Sequence, residues 1–417
     1  MGKKGRGTSA VAKLEMASDK LQIVAQEETD RLTEDKVTRI YKVLIVFGTR
    51  PEAIKIAPII EELKKHKRII NTIVAVTAQH RQMLDQVIEL FNISVNYDLN
   101  IMKHNQDILY AFNASIIGLT KIYEKERPDL ILVQGDTTTT FAGSLAAFYL
   151  KIPVGHIEAG LRTKNIYDPF PEEVNRRLTS VIADIHFAPT IKAKNNLLSE
   201  GIKSNKIYIT GNTAIDALQI MLNLKPSRPD QLFNKLDKNL KIVLVTLHRR
   251  ENMGSRLNAI CSILKALIVQ HPDIQIIFPV HYNPNIRKIV YSALCNVERI
   301  HLIDPVDYHA FVQVMGKAYI ILTDSGGIQE EAPALNKPII VLRNFTERPE
   351  GLEAGCAKLV GTEKKNVLRE IKKILTNKDE YERMASAQNP YGDGKASKRI
   401  VEFIINKYFK IKIESNI

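Results

Sequence analysis

Two doubly wound parallel α/β sheets, facing each other across a cleft, are predicted by three features of this sequence. Short apolar, β-rich runs alternate with helical patterns twice over, across 41–223 and again across 240–390. The stretch 224–239, with two prolines and mixed charges, separates the two series as a linker. Nearly every polar motif directly follows a strand, at the carboxyl edge where such sheets bind ligands.

The elements follow in order. Lys42–Phe47 is a buried strand that meets Gly48-Thr-Arg-Pro-Glu52 and then a helical pattern from Ala53 to Lys65; Pro51 suits a first helical turn. Strand Thr72–Thr77 leads through Ala78-Gln-His-Arg-Gln-Met83 into a helix ending at Phe91. A loop from Asn100 to Asp107 precedes a helix to Glu126. Then come strand Leu130–Val133, turn Gln134-Gly-Asp-Thr137 and a helix to Leu150. Strand Pro153–Ile157 runs into Glu158-Ala-Gly-Leu-Arg162. A helix from near Pro171, strand Ile185–Ala188, a further helix, strand Ile207–Thr210 and a helix from Asn212 close the first half. The second half opens with strand Lys241–Thr246 and Leu247-His-Arg-Arg-Glu-Asn252. It continues with a helix to Gln270, strand Ile274–Val280, His281-Tyr-Asn-Pro284, a helix, strand Ile300–Ile303 and helix Tyr308–Lys317. Strand Ala318–Leu322 turns at Thr323-Asp-Ser-Gly-Gly327 into a helix that stops near Asn336. Strand Ile339–Leu342 precedes Thr346-Glu-Arg-Pro-Glu350, and two helices, 363–387 and 394–411, finish the chain. Residues 1–40 mix charges with Ser, Thr and Gln and read as a loosely ordered extension.

Composition narrows the function. Hydrophobic content of 45% and charged content of 25% suit a soluble globular protein. No apolar run approaches the roughly 18 residues of a membrane span, and the start lacks the apolar core of a secretory signal. A cytoplasmic protein with no membrane partner is expected. The net charge of +13 comes from spread lysines, with no basic block interleaved with aromatics, so no nucleic-acid partner is expected. Cys261, Cys295 and Cys356 are far apart and form no CxxC pair; they are expected as buried thiols in a reducing compartment. No His-x-x-x-His spacing points to a metal. No Gly-x-Gly-x-x-Gly follows a strand and no Gly-Lys-Ser/Thr occurs, which argues against a redox cofactor and against ATP.

The motifs favour an anionic ligand and proton transfer. At Ser325, Gly326 and Gly327 a strand turns into a helix, where backbone N–H groups and the helix dipole attract a phosphate. Glu330 and Glu331 are expected in the first turn, with at least one turned away from the phosphate toward sugar hydroxyls. Arg50, beside another helix start, and Lys55, one turn on, can reach the same anion, and Arg348 can clamp a phosphate or a sugar. Asp136, Glu158 and Glu172 follow strands or strand-linked loops, where a carboxylate raised by burial and by its neighbours can move a proton. His248 follows a strand and is flanked by Arg249 and Arg250, whose charges favour a neutral imidazole; His281 is a second strand-end histidine. Plain structural roles stand beside these: Asp136 as a helix cap, Glu172 as a first-turn acid, Arg348 as half of an ion pair.

Together the motifs resemble the non-hydrolysing UDP-N-acetylglucosamine 2-epimerases. The resemblance is carried by Phe47-Gly-Thr-Arg-Pro-Glu-Ala-Ile-Lys55, Thr77-Ala-Gln-His-Arg-Gln-Met83, Gln134-Gly-Asp-Thr-Thr-Thr-Thr140 and Gly155-His-Ile-Glu-Ala-Gly-Leu-Arg162. It continues through Pro171-Glu-Glu-Val-Asn-Arg176, Gly211-Asn-Thr213, His248-Arg-Arg-Glu251, Pro279-Val-His281, Thr323–Pro333, Thr346–Glu350 and Asn389-Pro-Tyr-Gly-Asp-Gly394. It implies two Rossmann-like domains of the glycosyltransferase-B type, with a C-terminal helix in 391–417 crossing back to the first domain. It implies interconversion of UDP-GlcNAc and UDP-ManNAc without a cofactor, by UDP elimination to 2-acetamidoglucal and re-addition, supplying ManNAc for surface polysaccharide. The alternative is a hydrolysing epimerase that releases ManNAc and UDP. Carried over by position, Asp136, Glu158, Glu172 and His248 are catalytic. Arg50, Lys55, Phe311, Ser325, Gly326, Gly327, Glu331 and Arg348 bind substrate, with Phe311 against uracil and Glu331 toward the ribose. Gln79, Gln82, Glu172, Arg249 and His281 match contacts to a second, activating UDP-GlcNAc, and a homodimer is expected. Two positions depart from the pattern: Asn105 where relatives place Arg in the activator site, and Val306 where some carry Gln beside the uracil.

Overall fold

The computed structural model describes residues 39–79, 81–103, 106–163, 165–224, 236–247, 249, 252 and 254–411. His248, Asn105, positions 1–38 of the extension and 225–235 of the linker lie outside the described residues.

Strand β1 (Tyr41–Phe47) is followed by α1 (Arg50–Lys64), β2 (Ile70–Val76), α2 (Arg81–Leu90), β3 (Tyr97–Asp98), α3 (Ile108–Glu126), β4 (Leu130–Gln134) and α4 (Thr138–Tyr149). Then come β5 (Val154–Ile157), α5 (Glu172–Ile182), β6 (Ile185–Ala188), α6 (Ile191–Ser199), β7 (Ile207–Ile209) and α7 (Thr213–Asn223). The second series is β8 (Lys241–Thr246), α8 (Ser255–Gln270), β9 (Ile274–Pro279), α9 (Pro284–Leu294), β10 (Ile300–Ile303), α10 (Tyr308–Lys317) and β11 (Ile320–Thr323). It ends with α11 (Gly326–Glu331), β12 (Ile339–Val341), α12 (Pro349–Glu353), β13 (Ala357–Leu359), α13 (Lys364–Thr376), α14 (Lys378–Ala385) and α15 (Ala396–Phe403).

Every strand pairs in parallel. The first sheet runs β3-β2-β1-β4-β5-β6-β7 and the second β10-β9-β8-β11-β12-β13. Each order reverses once, between β1 and β4 and between β8 and β11. A crevice opens at such a reversal, at the carboxyl ends of the strands. In β1 the run from Val43 to Phe47 is wholly buried with no alternation, because helices cover both faces. Leu44, Val46, Ile131 and Val133 pack toward Leu119 of α3 and Ala146 of α4. Val43 and Ile45 face the other way, into a cluster that runs unbroken to Leu244, Val312 and Ile321 of the second lobe. The two lobes therefore share apolar contact as well as a cleft.

The chain end returns to the first lobe. Helix α15 packs on α1 and α7, with Ile400 and Val401 fully buried. Asp216 of α7 accepts from the Ala396 N–H at 3.2 Å, the Ser397 N–H at 2.8 Å and the Ser397 hydroxyl at 2.5 Å. Just upstream, the Tyr391 carbonyl accepts from the Asn212 N–H at 2.7 Å. The Tyr391 hydroxyl accepts from the Gly351 N–H at 3.0 Å and donates to the Arg348 carbonyl at 3.2 Å.

Some details differ from the sequence reading. The helix expected across 363–387 is broken at Asn377, whose side chain accepts from the Glu380 N–H at 3.1 Å and starts α14. The last helix changes at Ile404 into a π-helical turn, Ile404–Tyr408. Strands β3 and β13 have two and three residues, too few for a periodicity to register. Cys261 and Cys356 are buried thiols, but Cys295 is exposed.

The Asp216 carboxylate is the polar anchor of α15. Asp216→Ala should lower the free energy of unfolding by about 2 kcal/mol, since a cap and hydrogen bonds to a charged acceptor are lost together. Urea unfolding would check this, and an unchanged midpoint would mean that apolar contacts alone hold the helix.

Candidate functional site

The site is built from the turns that leave the strands beside both reversal points. After β1, Thr49 precedes α1 and puts Arg50 at its first position and Lys55 one turn on. After β4, Gly135 adopts a left-handed φ of 73°, and Asp136 follows. Thr137, not Asp136, caps α4: its hydroxyl oxygen accepts from the Thr140 N–H at 3.1 Å. That frees the Asp136 carboxylate, which pairs with Arg176 of α5 at 2.5 Å. After β5, Glu158 holds a left-handed φ of 62°, unusual for a side-chain-bearing residue and typical of functional positions. Glu172 is the first residue of α5.

The lobes meet in a network of ions. Lys55 Nζ lies 2.5 Å from Glu158 and 3.3 Å from Glu330 of the second lobe. Asn212 donates to both carboxylates at 3.1 Å, and Gln134 donates to Glu158. Arg348 Nε lies 2.9 Å from the other Glu330 oxygen. Behind it Glu347 pairs with Arg343 at 2.6 Å and with Arg249 at 3.2 Å. Burial works to raise the Glu347 pKa, but Arg348, Arg249 and Arg343 pull it down to about 2. Burial works against the charge on Lys55, and Glu158 and Glu330 more than restore it. Arg50 faces Glu331, Tyr308 and Asp307 from the opposite lobe, although burial leaves its pKa lowered. Burial raises the Glu172 pKa, Asp136 adds to the rise, and Arg176 and Arg249 oppose it.

The glycine turn at the start of α11 completes the cleft. A Cβ on Gly326 would lie 3.0 Å from the Arg348 guanidinium carbon, so a side chain here would crowd Arg348 where it approaches the turn. The Ser325 N–H is engaged by the Thr323 hydroxyl oxygen at 2.9 Å, so the amides that can meet an anion start at Gly326. Ser325 occupies the cap position without using its side chain as a cap. Because α11 starts at Gly326, Glu330 and Glu331 fall in its second turn, not its first. Both are buried and face different partners. Glu331 accepts from the Tyr308 hydroxyl at 3.0 Å, and burial, with Glu330 nearby, raises its pKa to about 7 against that hydrogen bond. Phe311 of α10 is half-buried against the interlobe cluster.

Arg50, Lys55, Glu158, Glu331, Arg348 and the 325–327 turn thus converge, and Asp136, Glu172 and Arg249 form a second group beside them. Gln82 and His281 are exposed. Gln79 is half-buried, and its Oε1 is buried without a hydrogen-bond donor among the described residues. Sequence reasoning did not single out Gln134, Arg176, Asn212 or Tyr308 as site residues. The first three stand inside the quoted motifs, Gln134 and Asn212 at strand ends and Arg176 within α5, and that motif context is the signal that could have found them. Tyr308 carries no such signal. The arrangement can hold a dianionic group between cations of both lobes and set carboxylates beside whatever that group carries.

A family model described as UDP-N-acetylglucosamine 2-epimerase matches residues 61–405. A UDP-N-acetylglucosamine 2-epimerase of Neisseria meningitidis serogroup A is 54% identical over 369 residues, covering 87% of this chain and 99% of that protein. The crystal structure of UDP-GlcNAc 2-epimerase from Neisseria meningitidis bound to UDP-GlcNAc aligns with a TM-score of 0.83 at 53% identity, over 88% of this chain and 100% of that one. That of the Methanocaldococcus jannaschii UDP-GlcNAc 2-epimerase in complex with UDP-GlcNAc and UDP aligns with a TM-score of 0.74 at 38% identity, over 87% and 99%. The facing pair of sheets is of the glycosyltransferase-B type.

The raised pKa of Glu331 has a consequence for stability. Its folded-state value of about 7 lies above the ordinary carboxyl value of 4.5, so the folded form is favoured while the group is protonated. That contribution is complete below pH 4.5 and is lost as pH rises through about 7. Glu331→Gln should therefore gain stability relative to the parent between about pH 5 and pH 8, by at most roughly 3 kcal/mol. Denaturant unfolding across that range checks it; a pH-independent difference would show that Glu331 binds protons alike in the folded and unfolded chain there.

Proposed function

The chain belongs to the UDP-N-acetylglucosamine 2-epimerase family, and from that premise we propose that it interconverts UDP-GlcNAc and UDP-ManNAc without hydrolysing either. The observation that carries this reading is the convergence of Arg50, Lys55, Glu158 and Arg348 at the cleft, with the carboxylates Asp136 and Glu172 beside them. The C2 proton of the sugar is weakly acidic, so departure of the diphosphate runs ahead of its removal or with it. The C1–O bond breaks and its electron pair leaves on UDP, stabilised by the three cations and the amides from Gly326 onward. A carboxylate takes the C2 proton, and the C1–C2 double bond of 2-acetamidoglucal forms. UDP oxygen then adds back to C1, and an acid on the other face returns a proton to C2.

Two adjacent carboxylates in unlike surroundings suit two unlike roles. Asp136, ion-paired with Arg176, suits the accepting role, and Glu172, raised by burial, suits the donating one. Glu158 and Lys55 form a pair that can relay a proton or steady the diphosphate, and His248, next after Leu247 in sequence, completes the set. Glu331 faces the ribose, where its oxygens can accept from the hydroxyls, and Phe311 lies against the uracil.

A second UDP-GlcNAc as activator is part of this reading, held by Gln79, Gln82, Glu172, Arg249 and His281. The unmatched Gln79 Oε1 and the nearness of Arg249 to Glu172 support it. Those residues also favour the non-hydrolysing route over release of ManNAc and UDP. In this reading 41–223 and 240–390 are the two domains, and 391–417 is the segment that returns to the first. The product would feed ManNAc into surface polysaccharide, from a cytoplasmic enzyme whose three free thiols suit a reducing setting. A homodimer is supported by an apolar face on adjacent helices, with Leu109 and Ile117 on α3, Phe148 and Tyr149 on α4 and Val181 on α5 all exposed.

Proton NMR of UDP-GlcNAc with the protein in heavy water should show both epimers and deuterium at C2. Free ManNAc would select the hydrolysing alternative, and tight binding with no C2 exchange would sink the proposal. Asp136→Asn should cut turnover by about 100-fold or more while UDP affinity by calorimetry stays within about threefold. Light scattering should give a dimer for the parent and a monomer for a Leu109→Asp, Val181→Asp double variant; an unchanged mass would place the partner surface elsewhere.

A further inference from the structure

Glu52 is the third residue of α1 and is 1% exposed. One of its oxygens does what a glutamate at that position commonly does. Oε2 accepts from the Gly48 N–H at 3.0 Å and the Thr49 N–H at 2.8 Å, satisfying amides at the helix start. The other oxygen does something that a cap does not need. Oε1 accepts from the Thr137 hydroxyl at 2.6 Å, and the Thr140 hydroxyl stands 3.1 Å away. Thr137 directly follows Asp136. The Thr140 hydroxyl also donates to the carbonyl of Gln134, the last residue of β4, at 2.6 Å. One carboxylate thus joins the turn after β1 to the turn after β4, across the reversal point of the first sheet.

A buried carboxylate is costly unless several donors surround it. A cap alone could be made by a residue at the surface with no need to bury a charge between two turns. The packing around the joint leaves little slack: a Cβ on Gly48 would fall 2.1 Å from the Thr77 hydroxyl and 2.4 Å from that of Thr139. The two turns carry the two halves of the chemistry, Arg50 for the anion and Asp136 for the proton. We propose that Glu52 is a positioning residue that locks these turns together, so that the grip on the diphosphate and the placement of Asp136 are set by one rigid joint. It touches no substrate and acts through Thr137 and the backbone of residues 48–50. This inference rests on the epimerase reading for its functional consequence, but the joint itself can be tested apart from it.

The test is a double-mutant cycle with Glu52→Gln and Thr137→Val, and Thr137→Ser as the conservative control. Each of the first two should lower kcat for C2 deuterium exchange by about 30-fold, because a small displacement of a reacting group is costly. The double variant should fall no further than the worse single one, since both break the same link. Thr137→Ser should restore turnover to within about threefold of the parent. Glu52→Gln should also weaken UDP binding about fivefold through the Arg50 turn, whereas Thr137→Val should leave it within about twofold. Multiplicative losses in the double variant, or parental turnover in Thr137→Val, would overturn the proposal. If Glu52→Gln does not fold, the split between kcat and UDP affinity in Thr137→Val decides alone. If the parent shows no C2 exchange, the epimerase reading fails while the joint stays testable by amide hydrogen exchange without ligand. Glu52→Gln should then speed exchange both at 48–50 and at 135–137; faster exchange at 48–50 only would reduce Glu52 to a helix cap.

Discussion

Glu330 is a buried negative charge set between cations of both lobes, and the cleft is organised around its neutralisation. A carboxylate that is 1% exposed is tolerable only with close partners. Lys55 and Asn212 of the first lobe and Arg348 of the second supply them. The same cations are those proposed above to meet a diphosphate. They are therefore held in position before any ligand arrives, and a ligand need not order long flexible side chains. In the proposed complex a diphosphate would compete with Glu330 for its partners, so binding would redistribute charge across the lobe boundary rather than simply add to it. That gives the cleft an electrostatic reason to respond to its ligand.

The topology explains why the chemistry collects where it does. Both sheets reverse beside their first strand, and both reversals face the cleft. The β1 and β4 turns bring Arg50, Lys55 and Asp136; the β8 and β11 turns bring Arg249 and the glycine turn. Arg50 and Lys55 share one helix, but Asp136, Arg249 and the glycine turn come from distant parts of the sequence. Parallel strands buried on both faces place them, and the continuous apolar cluster between the lobes keeps the two crevices opposed.

Much of this could be read from the chain alone. Fully buried parallel strands such as β1 are continuous apolar runs, and the motifs follow them without a gap, so fold class and the gathering of Arg50, Glu158 and Arg348 were legible. Pairings were not. Nothing in a one-dimensional pattern says that Lys55 reaches Glu330 across 275 positions, or that Thr137 rather than Asp136 caps α4. The place of Glu330 and Glu331 was misread by simple counting: with Ser325 at the cap position and α11 starting at Gly326, both acids fall in the second turn. Short strands and the break at Asn377 were invisible for a different reason: they depend on single hydrogen bonds and not on a repeating pattern.

The hydroxyl of Tyr391 touches the backbone on both sides of α12's first turn, at Arg348 and at Gly351, while its own carbonyl is held by Asn212 of the first lobe. Tyr391 is thus a strut between the tail of the chain and the residue that lies over the glycine turn. The tail is therefore built into the support behind Arg348 and is no appendage: one aromatic ring couples the segment that returns to the first lobe with the backbone that carries this guanidinium.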